Sequence, residues 1–126
     1  TQTKSKTSTK TKNEDKRHSV YVLWNPKTEK VEYVGRTTNV EARKSQHSLN
    51  PFKKELEMEV KYSDLPYGAA RIKEQQLIVE YKTLNRGNYR NNQINGLSRG
   101  NSNLSIYIQV YSDYFGEEVY VGGIKW

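Results

Sequence analysis

Two short runs rich in β-branched and aromatic residues follow each other between residues 19 and 36. SVYVLW at 19–24 and VEYVGR at 31–36 are separated by NPKTEK at 25–30, a cluster of turn-forming residues. Alternating apolar runs of this length, joined by such a cluster, are typical of two antiparallel strands and their connection. The pattern predicts a β-hairpin.

The length of the connection predicts how the two strands pair. If Tyr21 lies opposite Tyr33, then Trp24 lies opposite Lys30 and the loop runs from Asn25 to Glu29, which is a permitted hairpin loop. Because side chains alternate between the two faces of a sheet, this pairing places both phenols on the same face.

A short helix is expected directly after the hairpin. Asn39 can accept hydrogen bonds from free N–H groups as an N-cap, and Glu41 lies in the first turn, where a negative charge is favourable. The helix is expected to continue to about His47. Arg43 and His47 are four residues apart and therefore share one face of it.

The remaining periodic segments complete the predicted fold. EMEVKY at 57–62 alternates as a third strand, and AARIKEQQLIVEYKTLN at 69–85 has helical periodicity, with Gly87 soon after to end it. Residues 103–111 and 117–121 have the composition of extended segments. The expected fold class is α+β, with a small central antiparallel sheet flanked by helices.

The second helix carries a carboxylate at an unexpected position. At about 100° per residue, Glu74 falls near the middle of the apolar stripe, whereas Glu80 falls outside it. A buried, unpaired carboxylate costs several kcal/mol, so Glu74 should be paired with an Arg or a metal cation. A structural ion pair and a functional cation site both remain open. The stripe consists of Ala70, Leu77, Ile78, Tyr81 and Leu84.

Composition indicates one domain and a tail. The 126 residues are 33% hydrophobic, too few apolar residues for two independent cores. Residues 1–17 are rich in Thr and Lys and are expected to form a disordered linker. The net charge of +7 suggests a polyanionic partner, but six basic and two acidic residues of the linker account for +4, which leaves +3 for residues 18–126. The predicted domain is therefore only mildly basic.

Two absences narrow the class of protein. With no cysteine, a disulfide framework, a thiolate metal site and a cysteine nucleophile are all excluded. The sequence has no run of 18 apolar residues, so no membrane partner is expected.

Because the chain begins with Thr1 and not with Met, we expect it to be a fragment of a larger protein.

Six ordered elements between residues 18 and 98 resemble the signature of the GIY-YIG nuclease superfamily. Arg43 and His47 follow Gly35 by eight and twelve residues, which is similar to the family's spacing, and Ser19 and Val20 replace the Gly and Ile of its first triplet. The resemblance divides the domain into a core, 18–98, and a C-terminal extension, 99–126. The six elements are SVY at 19–21, YVG at 33–35, Arg43, His47, Glu74 and INGLS at 94–98, which supplies Asn95.

The resemblance implies a division of catalytic roles among five residues. Glu74 would bind one Mg²⁺ or Mn²⁺, an ion that is commonly held by one or two carboxylates together with phosphate oxygens. Arg43 would hold the scissile phosphate with its planar guanidinium. Tyr21 would position or deprotonate the attacking water, and Tyr33 would position the phosphate or the water. His47 would relay a proton or orient Tyr21; the alternative is an exposed histidine without a role.

Three further residues are expected on the substrate side of the site. Gly35 would allow close approach of the backbone to the substrate, and Asn95 would fix the site or bind phosphate. Arg36 would reach phosphate from the end of the strand, although a solvated charge at that position is an equal alternative. Residues 86–103 are dense in Asn, Arg and Gly, which predicts a polar loop near the site.

The resemblance implies a metal-dependent endonuclease, and the toxin members of the family fit best. The linker composition and the lack of a recognisable targeting domain favour a DNase toxin domain from an interbacterial polymorphic toxin. Such a domain would leave its cell as part of a larger protein, act in the cytoplasm of a target cell and have an immunity protein as partner. The alternatives are a homing or repair endonuclease fragment and a non-catalytic nucleic-acid-binding module, which ten tyrosines would suit.

Overall fold

The computed structural model describes residues 17–84, 90–117 and 119 of the chain. They form three strands and three helices, which confirms the predicted α+β class with a small antiparallel sheet. Of the predicted linker only Arg17 is among the described residues. The elements are β1 His18–Asn25, β2 Lys30–Thr37, α1 Val40–Leu49, β3 Glu57–Leu65, α2 Tyr67–Tyr81 and α3 Leu104–Phe115.

The three strands pair antiparallel in the order β2-β1-β3. The predicted hairpin is present, but its predicted pairing is wrong: Tyr21 lies opposite Gly35, and Tyr33 lies opposite Leu23. A shift by two residues leaves every side chain on its original face, because the period of a strand is two. The rings of Tyr21 and Tyr33 therefore still share a face, with centroids 6.4 Å apart.

The turn and a bulge explain the difference in pairing. Asn25 pairs with Lys30 and Trp24 with Val31, so the turn between the strands is one residue shorter than predicted. Glu29 takes the left-handed conformation there, with φ 60°, and its N–H donates to the carbonyl of Asn25. A bulge between Leu23 and Trp24 then shifts the pairing by one more residue, so that Leu23 lies opposite Tyr33.

The first helix begins where the sequence predicts. The side chain of Asn39 accepts from the backbone N–H of Ala42 at 3.0 Å and caps α1, which runs to Leu49, two residues beyond the predicted end. None of its residues is buried. The helix therefore lies on the outside of the domain. It reaches the sheet through single side chains such as that of His47.

One face of the sheet packs against α2 and forms the first half of the core. Val20, Val22 and Val34 are fully buried there and lie in one cluster with Ala70 and Ile78 of α2. Because side chains alternate, Tyr21, Tyr33 and Gly35 belong to the opposite face. Burying the valine face thus fixes which face presents the two phenols.

The end of α2 lies earlier than predicted. The helix begins at Tyr67 and stops at Tyr81, where Lys82 takes the left-handed conformation with φ 55°. Its N–H still reaches the carbonyls of Ile78 and Val79, which closes the last turn. The chain then turns, and Leu84 forms an isolated bridge with Asn92. The predicted end signal, Gly87, lies outside the described residues.

The prediction of an extended segment at residues 103–111 is wrong, because these residues belong to α3. Ile106, Ile108 and Val110 gave the segment the composition of a strand, but tertiary packing overrides such propensity. Leu104, Tyr107 and Tyr111 have the spacing of one helix face and are buried against Ala69 and Ile72 of α2 in a second cluster. The second predicted strand, at 117–121, lies largely outside the described residues.

Among the described parts of the chain, no helix combines the length and the apolar character needed to cross a lipid bilayer.

Candidate active site

The central contact of the candidate site joins β1 to α1. The hydroxyl of Tyr21 and Nε2 of His47 lie 2.7 Å apart, and the ring of Tyr33 lies 5.7 Å from the imidazole. Tyr21 is fully buried, whereas His47 and Tyr33 are partly exposed. The sequence-predicted trio is therefore assembled, and the histidine is not the exposed helical residue of the alternative interpretation.

The protonation states of Tyr21 and His47 limit the direction of their hydrogen bond. Burial, followed by the charges of Lys53 and Arg43, lowers the pKa of His47 to about 4, so the imidazole is neutral near pH 7. Burial and the neighbouring Tyr33 raise the pKa of Tyr21, which keeps its phenol protonated. In the tautomer with its proton on Nδ1, this neutral imidazole accepts the phenol proton at Nε2.

Arg43 of α1 also acts on the Tyr21 hydroxyl. Its guanidinium lowers the pKa of Tyr21 and partly opposes the effect of burial. Nη1 of Arg43 also lies 3.4 Å from the carbonyl oxygen of Arg36. Arg43 and His47 thus both act on the Tyr21 hydroxyl, and the positive charge of Arg43 favours release of the phenol proton towards the imidazole.

Gly35 makes room for this arrangement. A Cβ atom at position 35 would overlap the hydroxyl and Cζ of Tyr21, the residue directly opposite on β1. The second triplet therefore needs glycine for packing inside the protein. The role predicted for Gly35 in the approach of substrate stays a prediction.

Glu74 and Arg36 form an ion pair that is largely shielded from solvent. Nε of Arg36 donates to Oε1 of Glu74 at 3.0 Å, and their side chains keep 28% and 11% of their exposure. Burial raises the pKa of Glu74, while Arg36, Arg71 and Arg43 oppose that rise. Arg36 is thus the arginine partner that was expected for a carboxylate on the apolar stripe. It is therefore not a freely solvated charge.

A loop carrying Gly96 covers the carboxylate. A Cβ at Gly96 would lie 2.8 Å from Cδ of Glu74, so the backbone of the loop packs directly on the carboxylate. Nη2 of Arg71 donates to the carbonyl of Gly96 at 3.2 Å, and its Nη1 donates to the hydroxyl of Tyr67 at 2.6 Å. The position of Arg71 beside Glu74 was not predicted; its place on α2 three residues before Glu74 was the available signal.

Asn95 is held by the helix that carries Glu74. Its Oδ1 accepts from Nε2 of Gln75 at 3.0 Å, and Oε1 of Gln75 accepts from the backbone N–H of Leu97 at 3.2 Å. Gln75 is fully buried and so fixes the loop at two points. This contact agrees with the expected role of Asn95 in fixing the site.

Two asparagines bind the outer edge of β2, which no sequence pattern indicated. Oδ1 of Asn92 accepts from the N–H of Val34 at 2.9 Å, and its Nδ2 donates to the carbonyl of Val34 at 2.8 Å. Thr83 donates to the same Oδ1 at 2.7 Å, and Asn91 donates to the carbonyl of Glu32 at 2.7 Å. The side-chain amides thus replace a neighbouring strand.

The residues fit a metal ion only in part. Within the ranges that the structure describes, no three His, Cys, Asp or Glu side chains gather to hold a cation. Glu74 is a single hard oxygen ligand with Arg36 on one of its oxygens. One carboxylate suits Mg²⁺ or Mn²⁺ when phosphate oxygens and water complete the shell. The donor set therefore fits a cation that binds together with phosphate, and it does not fit a closed protein cage.

The predicted residues form one site around Arg43. Its charge acts on the pKa values of Tyr21, Tyr33, His47 and Glu74, which come from β1, β2, α1 and α2. Comparisons with protein-family models, with curated proteins and with solved structures find no match to this chain. Interpretation of the site therefore depends on its geometry.

Proposed function

We propose that this domain is a metal-dependent endonuclease that hydrolyses phosphodiester bonds, with DNA as its first expected substrate. The observation that carries the proposal is the hydrogen bond between Tyr21 and neutral His47, with Arg43 and the buried Glu74 both acting on the pKa of the phenol. A phosphodiesterase needs a group to accept a proton, a cation for the phosphoryl oxygens and positioned donors. All three are represented within this cluster.

Arg43 is the proposed phosphate-binding residue. Its planar guanidinium suits two oxygens of a phosphate, and a phosphate would attract it away from the Tyr21 hydroxyl. Because Tyr21 is fully buried, contact of its phenol with an attacking water requires movement of the side chains that cover it. Tyr33, which stays partly exposed, would hold the water or the phosphate at the entrance.

Tyr21 and His47 would act together on the proton of the attacking water. A phenol with a raised pKa is a poor base alone, but it can receive a proton at its oxygen while it passes its own to Nε2 of His47. The lowered pKa of His47 keeps this acceptor neutral near pH 7. The phenol thus supplies the contact with water, and the imidazole takes up the proton as the water oxygen bonds to phosphorus. The ester P–O bond breaks in the same step, and the leaving oxygen takes a proton from solvent.

Glu74 is the proposed ligand of one Mg²⁺ or Mn²⁺, which when bound would neutralise charge on the phosphoryl oxygens. Arg36 opposes the rise that burial causes in the pKa of Glu74 and so favours the ionised form that such a ligand requires. Asn95, fixed by Gln75, would keep the covering loop in place beside the phosphate. Arg36 is the residue that changes partner when the carboxylate takes up a cation.

We further propose a toxin domain as the biological setting, on the strength of the resemblance to toxin members of the nuclease superfamily. The domain would be delivered from a bacterial cell within a larger protein, would act in the cytoplasm of the target cell and would have a cognate immunity protein. A homing or repair endonuclease fragment is the alternative with the same chemistry. Full burial of Tyr21 favours the other alternative, a binding module without catalysis.

The test is cleavage of supercoiled plasmid by the purified domain in Mg²⁺ or Mn²⁺, with Glu74→Gln as the site variant. Glu80→Gln is the matched control, because it makes the same change at an exposed position of the same helix. We expect nicking by the parent and by the control, and no nicking by Glu74→Gln or with a chelator present.

Circular dichroism would verify that all three proteins are folded. A folded parent that cleaves neither DNA nor single-stranded RNA would contradict the proposal and favour the binding module. Cleavage of RNA alone would retain the chemistry and change the substrate.

A further inference from the structure

A cavity of about 290 Å³ lies directly beside the proposed reaction centre, on the far side of His47. Leu23 of β1 and Met58 of β3, which pair directly across the sheet, line its floor, and Leu56 closes one side. Lys44 and Ser48 of α1 lie at the rim. None of these five residues has a place in the proposed mechanism.

The walls combine an apolar floor with a charged rim. Leu23 is almost fully buried, and Leu56 and Met58 are half-buried, whereas Lys44, Ser48, Lys54 and Glu57 at the rim are exposed. The volume lies at the low end of the range for small-molecule sites, roughly 300–1,000 Å³, and therefore suits one flat ring system. A ring system with charged phosphates on either side matches this distribution of apolar and basic groups.

From this geometry we infer that the cavity binds the nucleobase of the nucleotide adjacent to the scissile phosphate. The inference rests on the proposed nuclease function. His47 belongs to both places, since its Nε2 meets Tyr21 and its side chain forms a wall of the cavity. A phosphate held at Arg43 therefore places the neighbouring base within reach of Leu23 and Met58. Lys44 and Lys54 would then face the phosphates of the nucleic-acid strand as it leaves the site.

Glu57 gives the cavity a chemical preference. Its carboxylate only accepts hydrogen bonds, and carboxylates recognise the exocyclic amino group of cytosine. The Ser48 hydroxyl already donates to the carbonyl of Ser45 at 2.7 Å, so it too is available to the base as an acceptor. A base with an amino group, such as cytosine, fits these acceptors better than thymine does.

Entry into the cavity requires a base that is not stacked. A base in a duplex reaches such a pocket only after it leaves the helix, which costs free energy that a single strand does not need. The domain should therefore bind single-stranded DNA more tightly than duplex DNA of the same length. It should also place its cuts next to cytosine more often than next to thymine.

The test measures binding of short fluorescent oligonucleotides, oligo-dC and oligo-dT, by anisotropy in a chelator, so that no cleavage is needed. Ser48→Trp places an indole at the exposed rim, and Ser45→Trp makes the same change on the same helix outside the cavity. Glu57→Ala removes the acceptor, and Glu59→Ala is its control on the same strand. Met58→Trp fills the floor and checks the result independently.

We expect the parent to bind oligo-dC about tenfold more tightly than oligo-dT, and Ser48→Trp and Met58→Trp to weaken oligo-dC binding about tenfold. Glu57→Ala should remove the difference between the two oligonucleotides, while both controls behave as the parent. A parent that binds DNA equally well after Ser48→Trp and Met58→Trp, or without preference for oligo-dC, overturns the cavity inference and leaves the nuclease proposal intact. A parent that binds neither oligonucleotide also overturns the cavity inference, and the cleavage assays on plasmid and RNA then decide the nuclease proposal separately.

Discussion

The ring of Tyr21 occupies the space in which any side chain at position 35 would begin. Gly35 lies directly opposite Tyr21 on the neighbouring strand, and a Cβ there would meet the phenol hydroxyl and Cζ. The tyrosine of SVY and the glycine of YVG are therefore one packing unit. Their pairing decides where the hydroxyl of Tyr21 lies relative to His47.

Gly35→Ala should displace Tyr21 and reduce both stability and activity. Overpacking of this kind costs about 1–3 kcal/mol of unfolding free energy, and misplacement of the phenol should reduce kcat on the order of 100-fold. Urea unfolding and plasmid cleavage measure the two effects. Gly100→Ala is the control, since a Cβ there meets only Oγ of Ser98 at 3.9 Å. Equal effects of both substitutions would contradict this account.

Tyr21→Phe removes the hydroxyl and leaves the ring in place. If the phenol passes a proton to His47, kcat should fall by about 10²–10⁴ while KM changes little. The loss of one hydrogen bond should lower stability by only about 0.5–1.5 kcal/mol. Tyr114→Phe, which alters an exposed phenol on α3, should keep full activity. Retention of most of the activity by Tyr21→Phe would remove Tyr21 from the mechanism.

Acid should destabilise the fold through His47. The unfolded chain binds a proton at this residue below its ordinary pKa of 6.5, but the folded chain does so only near its lowered pKa of about 4. Between these values the unfolded state binds more protons, so stability is full above pH 6.5 and decreases as the pH falls towards 4. Urea midpoints of the parent at pH 7.5 and 5 should differ more than those of His47→Gln. A parent and variant with the same pH dependence would disprove the assigned shift.

Arg36 should compete with a metal ion for Glu74. Removal of Arg36 by Arg36→Met leaves a shielded carboxylate without its partner, which should lower stability by about 1–3 kcal/mol, less than for a fully buried pair because Arg36 keeps some solvent contact. Mn²⁺ should then bind more tightly to the variant than to the parent and recover much of the lost stability. Calorimetric titration with Mn²⁺ measures the first effect, and thermal unfolding the second.

A second substitution separates the ion pair from other roles of Arg36. In the double variant Arg36→Met/Glu74→Gln the buried charge is absent, so it should be more stable than Arg36→Met alone and insensitive to Mn²⁺. If Mn²⁺ stabilises the parent and Arg36→Met equally, the two cations do not compete.

Asn92→Ala should destabilise the domain more than its small change in volume suggests. The amide satisfies the N–H and the carbonyl of Val34 and the hydroxyl of Thr83, all of them buried contacts. Unsatisfied buried groups should cost about 2–4 kcal/mol in urea unfolding. Asn101→Ala, which removes one exposed hydrogen bond to the N–H of Asn103, should cost less than about 1 kcal/mol. Similar losses would show that the amide bridge is unimportant.

Local signals were sufficient for the parts of the fold that depend on neighbouring residues. The N-cap at Asn39, the third strand and the carboxylate on the stripe of α2 follow from spacing along the chain. The register of the hairpin could not be predicted in this way. It depends on a turn one residue shorter than the predicted turn and on a bulge between Leu23 and Trp24. The helix α3 was missed because its β-branched residues suggested a strand; the spacing of Leu104, Tyr107 and Tyr111 was the better signal.

The site was predictable as a set of residues but not as a network. Spacing placed Arg43 and His47 on one helix face, and the motif added Tyr21 and Glu74. The pairing of Arg36 with Glu74 and the use of Gln75 to hold Asn95 depend on contacts between distant segments. Such contacts carry no periodic signature in the sequence.

The asparagine bridge to β2 also affects how one molecule meets another. An unpaired strand edge is a template for association with a second chain, and Asn91 and Asn92 occupy that edge of β2. The opposite edge belongs to β3, whose exposed positions include Glu57 and Glu59. Two copies aligned in parallel and in register through β3 would bring these like charges together, so the acidic positions disfavour that one mode of pairing at the edge that the asparagines do not cover.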